Sequence, residues 1–205
     1  SRGLAKALKP KRWPKPGKAT RLQIVPSEIL LAPGQAVSFR TRKLDANGFL
    51  VEEVDGSTLK WESYIPPTAK VIARMNATFN DRGQIVAGKK MISSAGAFKA
   101  TLGDLTGVIR GRVLPAPPLS EDFEGFKLSE DSLVDQGVKF AYPPLPWIGA
   151  RFKFEVREKD GSKVLRKTID NKRLQRATVF IGEQSMSNYT IQADVLTDGR
   201  RRKMS

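Results

Sequence analysis

Between Arg21 and Pro115 no apolar run lasts more than a handful of residues before Pro, Gly, Asn or Asp interrupts it. That punctuation leaves little room for a helix of ordinary length and favours short strands joined by turns. Arg21–Val25 reads as a first strand, with a break at Pro26-Ser27 and a second short run at Ile29–Leu31. Pro33-Gly34 is a turn signal. Val37, Phe39 and Thr41 then alternate with Ser38, Arg40 and Arg42 at the period of a strand. Asn47-Gly48 is the dipeptide of a tight hairpin turn, expected to supply its positive φ angles, and Phe49–Val51 returns from it. Leu59 and Trp61 share one face of the next strand, and Trp61 is expected to fill the centre of a sandwich. Further β runs are expected at Val71–Met75, Gly83–Ala87, Gly96–Leu102 and Gly107–Val113, with 76–82 a loop or short strand.

Charge is concentrated at the ends. The chain of 205 residues carries a formal net charge of +15 and is 40% hydrophobic, enough apolar material for a core. Eleven of the 36 basic residues lie in segments 1–20 and 200–203. The remainder carries 25 basic against 21 acidic residues, a surplus of four. Segment 1–20 holds three prolines that disfavour helix and strand pairing, so it reads as a basic, Pro-rich linker. Lys9, Lys11, Arg12 and Lys15 there, with Arg200, Arg201 and Arg202 at the other end, are candidates for contact with an anionic surface or polymer. The alternative is a solvated tether. Basic and aromatic residues are not interleaved on strands, so sequence-specific nucleic-acid reading is not expected.

Cysteine and histidine are both absent. A disulfide framework, a thiol nucleophile, the commonest general base and the commonest zinc ligand are therefore excluded. No apolar run approaches the length of a transmembrane helix, and no signal peptide is visible. Because the chain begins with Ser1 rather than Met, it is expected to be a processed product or a fragment.

The order of elements in 21–115 resembles the bacterial immunoglobulin-like domains of group 2. The carrying residues are Ile24 and Pro26, Gly34-Gln35, Asp45, Asn47 and Gly48, Trp61 and Ser63, Gly83, Ile85 and Ala87, Ala97–Thr101, and Gly107-Val108. Segment 68–82 is longer than the usual interval and is expected to hold an insertion. The resemblance implies an Ig-like β-sandwich used as a spacer or adhesion module.

Segment 116–119 reads as a second Pro-rich linker, and 120–205 as a second all-β module. Phe152, Phe154 and Val156 alternate with Lys153, Glu155 and Arg157. Asp160-Gly161 turns the chain into Lys163–Lys167, and strands are also expected at Ala177–Ile181 and Tyr189–Val195. This region resembles the jelly-roll, concanavalin-like end of bacterial quinoprotein-type β-propeller proteins, a group related to outer-membrane assembly factors. Asp122–Gly125, Pro146–Arg151, Glu155–Gly161 and Asn188–Val195 carry the likeness. It implies an Ig-like module followed by a jelly roll, in the periplasm or cell envelope. A jelly roll has about eight strands; four or five are visible, so this module is expected to be partial, with edges that need missing C-terminal strands or a partner chain.

Candidate chemistry is sparse. Glu121, Asp122 and Glu124 crowd together and can be weighed as glycoside-cleaving acids, but they sit beside a Pro-rich linker rather than on a strand. The Asp45–Gly48 turn offers oxygen ligands without the full spacing of a calcium loop, and Gly182–Ser185 lacks the flanks of a nucleophile motif. Phe140, Tyr142 and Trp147 border the run Pro143–Pro146, where aromatic rings can stack on a sugar or a partner peptide, or pack on the prolines. The sequence thus leads to an all-β chain, an Ig-like β-sandwich followed by a partial jelly-roll/concanavalin-like β-sandwich. It is expected to be non-catalytic, free of cofactor and metal, and to serve as spacer and binding region of a larger cell-envelope protein with a protein or glycan partner. The alternatives are an anionic-polymer binder using the basic ends and a glycoside-active jelly roll.

Overall fold

The computed structural model describes residues 14–132, 134–168 and 177–197. Among these, every regular element is a strand except one turn of 3-10 helix at Gly56–Thr58, capped by the Asp55 side chain, which accepts from Ser57 N.

Three sheets lie between residues 19 and 113. One joins β1 (Ala19–Val25), β4 (Arg40–Asp45) and β5 (Leu50–Val54) in antiparallel order. The largest places β2 (Glu28–Leu31) beside β10 (Leu105–Val113), then β9 (Ser94–Leu102), then β6 (Lys60–Tyr64). Its β2–β10 pairing is parallel and the others antiparallel. The third is β3 (Ala36–Val37), β8 (Ile85–Ala87) and β7 (Ala77–Phe79).

Alternation explains how the sheets share a core. Leu22 and Ile24 on β1, Ile29 and Leu31 on β2, Ile85 and Ala87 on β8, Phe98 and Ala100 on β9, and Ile109 and Val113 on β10 point inward, joined by Leu59 and Met75. Burying each large side chain contributes roughly 1.5–3 kcal/mol. Trp61 packs against this core, as its strand position predicts. Its ring stacks on Phe79 at 4.1 Å and lies 5.6 Å from Phe39, while Phe79 meets Phe98 edge-on at 5.1 Å. On the outer surface, Arg42 lies directly opposite Glu53 and Lys43 opposite Glu52, and both pairs form ion pairs. Lys99 pairs with Glu62 in the same way across β9 and β6. Exposed pairs of this kind contribute little to stability, but matched cross-strand charges favour one register.

Several expectations need correction. The alternating run Val37–Thr41 is divided between β3 and β4, so that Phe39 bridges two sheets. Only Gly48 of the Asn47-Gly48 pair has a positive φ, +86°. Gly48 N donates to Asp45 O, and the register of β4 against β5 shifts next to the turn, the pattern of a type I turn closed by a left-handed glycine. Val71–Met75 forms no strand. Met75 is nevertheless buried, and its backbone presses on Gly96, where an added Cβ would lie 2.3 Å from Met75 N. The run is thus held by packing on a glycine and not by a ladder. The expected short element in 76–82 is β7.

Beyond Val113 the structure is sparser. A hairpin of β11 (Phe154–Lys159) and β12 (Ser162–Lys167) turns at Asp160-Gly161, as expected. Phe140, Ala150 and Val156 are buried near it. Isolated bridges join Ser129 to Phe140, Ala141 to Val156 and Ile148 to Phe180. The expected strands at Ala177–Ile181 and Tyr189–Val195 form no ladder. Among the described residues the first makes only the Phe180 bridge, and the second meets no neighbouring strand. A β pattern specifies a strand only where another backbone can accept its hydrogen bonds. No helix among the described residues is long and apolar enough to cross a membrane.

Candidate functional site

The candidate site lies on the irregular part of the chain around β11. Phe140 and Ala141 form bridges to Ser129 and Val156, and from there the chain enters the Pro143–Pro146 run. Trp147 N donates to Pro144 O at 3.0 Å, closing a turn, and Gly149 follows with φ +79°. The turn presents Trp147 edge-on to Phe123, with ring centroids 5.8 Å apart, and Phe123 lies 6.2 Å from Phe126. The Tyr142 ring meets Phe140 edge-on at 5.1 Å, and the Arg151 guanidinium lies over it at 4.6 Å. That guanidinium also covers Phe152 at 4.8 Å. Cation–π contacts of this kind are worth roughly 0.5–1 kcal/mol at an exposed site.

The predicted aromatic residues are therefore divided. Phe140 is 1% exposed, offers no face to a ligand, and serves packing. Tyr142 and Trp147 are half-buried and belong to two separate ring clusters. Exposed Ile148, Phe152 and Phe180 extend the apolar rim. Phe152 adopts φ +67°, which for a residue with a Cβ is a strained conformation. It is thus an exposed ring outside the strand in which its alternation had placed it.

The carboxylates beside the linker build loops. Glu121 accepts from Phe123 N at 2.8 Å and Asp122 from Glu124 N at 3.0 Å, while Glu124 accepts from Lys163 N at 2.8 Å. Of the basic candidates, Lys15 is exposed, and Lys9, Lys11, Arg12, Arg200, Arg201 and Arg202 lie outside the described residues.

Sequence reasoning missed a polar cluster in this region. Glu155 and Arg157 are the polar members of the alternation along β11, yet they are 3% and 5% exposed. Arg157 Nη2 and Nε donate to Glu155 Oε2 at 2.7 and 2.9 Å, and Nη1 donates to Asp135 Oδ2 at 2.8 Å. Ser132 Oγ lies 3.3 Å from both Glu155 oxygens and accepts from the backbone N–H groups of Val134 and Asp135. Burial alone would ease proton loss from Arg157; the hydrogen bonds to Asp135 and Glu155 outweigh it and raise its pKa. The one signal in the sequence was the opposite charge of Glu155 and Arg157 at strand spacing on one face.

No family model and no curated protein matches this chain. Among solved structures, domains 5–6 of the S-layer protein SbsC are similar at 17% identity and a TM-score of 0.32, over 50% of this chain. The chain spans about half (54%) of the length of that structure. A likeness at that level bears on neither family nor activity.

A second built feature marks the entry to β1. Asp45 is buried, and its Oδ2 accepts from Gly17 N at 2.8 Å while Oδ1 accepts from Asn47 N and Phe49 N at 2.9 Å each. The Gly17 bond is the largest cause of a lowered pKa at Asp45; burial opposes it, and the N–H groups of Phe49, Asn47 and Gly48 reinforce it. A carboxyl depressed on folding stabilises the protein above its unfolded pKa of about 3.9, and that contribution is lost as pH falls through the folded value. Acid titration of thermal stability is therefore expected to be flatter below about pH 4 in Asp45→Asn than in the parent chain. With its one oxygen kept on Asn47 N and Phe49 N, the amide turns an NH2 donor toward Gly17 N, so the Gly17 amide is expected to gain hydrogen-exchange rate selectively.

Proposed function

We propose that the chain is a non-catalytic spacer and binding region of a larger bacterial cell-envelope protein, of the kind in which an Ig-like module separates a propeller from a jelly roll. It keeps its neighbours at a set distance and carries tension between them. The Trp147 rim is its contact for a glycan or protein partner in the periplasm or at the cell surface.

The observation that carries this reading is the parallel pairing of β2 with β10. Glu28–Leu31 runs beside Arg110–Val113 in the same direction, and the ladder is extended by Arg110 N to Ser27 O and Leu114 N to Leu31 O, both at 2.9 Å. The chain enters ahead of β1 and leaves after β10, so opposed pulls on the ends slide β2 and β10 past one another. All their hydrogen bonds are then loaded together rather than one at a time. At the entry, Gly17 is tied to Asp45; at the exit, the chain passes into Pro115, Pro117 and Pro118. Proline-rich connectors transmit direction over several residues.

The chain has no cysteine, so engineered pairs give unique handles for single-molecule pulling. Handles at Lys18→Cys and Ala116→Cys load β2 and β10 in shear, whereas Ser93→Cys and Ala116→Cys unzip the β9–β10 hairpin. Forced unfolding reports the unfolding rate, and the shear pair is expected to rupture at a clearly higher force. Equal rupture forces in the two geometries would sink the tension-bearing reading. Loss of neutral-glycan retention in Trp147→Ala tests the rim.

A further inference from the structure

Residues 187–196 have no hydrogen-bond partner among the described residues. Yet Tyr189, Ile191, Ala193 and Val195 alternate with Thr190, Gln192, Asp194 and Leu196, the pattern of a half-buried strand. The large apolar members of this stretch are exposed, Ile191 at 76%. It is a strand pattern with neither a ladder nor a core among the described residues.

The complement lies on the same chain. In the β11–β12 hairpin, Lys159 and Ser162 flank the turn as a hydrogen-bonded pair, so alternate residues Lys163, Leu165 and Lys167 turn their backbone groups away from β11. Lys163 N confirms the phase, since it donates outward to Glu124 Oε1 at 2.8 Å. Leu165 and Lys167 have no outward partner among the described residues. Among the described residues this half of β12 is an open sheet edge, the kind of edge that accepts an added strand.

Charge points to the same pairing. The β12 strand carries Lys163, Arg166 and Lys167 and no acid, whereas 177–197 carries Glu183 and Asp194 and no base. In its own chain the tail is held elsewhere: Phe180 is bridged to Ile148, and Glu183 and Met186 line a groove of about 310 Å³ with Leu30, Leu31 and Leu114–Pro117. We propose that residues 189–196 of one copy add as an antiparallel strand to the open edge of β12 in a second copy, and reciprocally, so that two chains join by exchanging tails. Donor and acceptor on one chain make such an interface self-complementary, as two-fold dimers require. Antiparallel order brings Asp194 to the Lys163 end of β12. The proposal is independent of the tension-bearing reading, whose handles lie between residues 18 and 116.

Sedimentation equilibrium of the whole chain is expected to show a dimer that dissociates on dilution and weakens as salt rises. Ile191→Pro removes a ladder donor, and Asp194→Lys reverses the charge. Because 187–196 make no hydrogen bond among the described residues, both variants are expected to keep the parent circular dichroism while weakening the dimer by about tenfold or more. A synthetic 188–197 peptide is expected to dissociate the parent dimer. A monomer at every concentration overturns the proposal; protected tail amides in that monomer would mean the strand pairs within its own chain. A dimer unchanged by Ile191→Pro overturns it as well.

Discussion

Arg157→Ala is expected to destabilise the β11–β12 region by about 3–5 kcal/mol, the usual cost of leaving one member of a buried ion pair without its partner. Glu155 is 3% exposed and has Arg157 as its cationic partner, through bonds at 2.7 and 2.9 Å. Ser132 alone, at 3.3 Å, is a weak replacement for a guanidinium. Asp135 is half-exposed and can turn to water, so the penalty falls on Glu155. Native-state hydrogen exchange of the β11 and β12 amides measures it directly. The double variant Glu155→Leu/Arg157→Met removes both charges and keeps the bulk, and it is expected to recover most of the loss. If Arg157→Ala leaves those amides as protected as before, the cluster does not hold the hairpin.

Phe98→Ala is expected to cost about 3–5 kcal/mol, the range for truncating a large aromatic in a packed core. Phe98 sits near the middle of β9, which is paired on both sides, and its ring is the edge-on partner of Phe79. Phe79 in turn stacks under Trp61 at 4.1 Å. The cavity therefore opens beneath a connected aromatic cluster on β6, β7 and β9 that cannot collapse without moving a strand. A urea titration followed by near-UV circular dichroism is expected to show both a lower midpoint and a weakened aromatic signal. Ile148→Ala, at an exposed position, is the matched comparison and is expected to change stability little.

The strands of 21–115 were legible because each buries one face against the same core. Leu22 and Ile24, Ile29 and Leu31, and Phe98 and Ala100 all sit at spacing two, and the pattern survives whatever the topology. Where that logic lapses, the sequence misled. Val71–Met75 is apolar enough for a strand, but its backbone is seated on Gly96, a contact between Met75 and a residue twenty-one positions on that no local pattern encodes. Alternation along β11 left the burial of Glu155 and Arg157 unread, because a polar residue at strand spacing reads the same whether water or Asp135 and Ser132 receive it.

The candidate site was legible in part for the same reason. Aromatic residues beside a Pro-rich run marked the rim, but Phe140 and Trp147 cannot be told apart by type. Only the bridge to Ser129 buries the one, and only the turn at Pro144 half-exposes the other. By itself the sequence determined the all-β character, the hairpin turns at Gly48 and Gly161, and the concentration of positive charge at the ends, since each is written in neighbouring residues. Tertiary structure alone decided that β2 runs parallel to β10, that Arg157 is buried on two carboxylates, and that residues 189–196 carry a strand pattern without a ladder. Those depend on which distant segment supplies the other half of a hydrogen bond, an ion pair or a core.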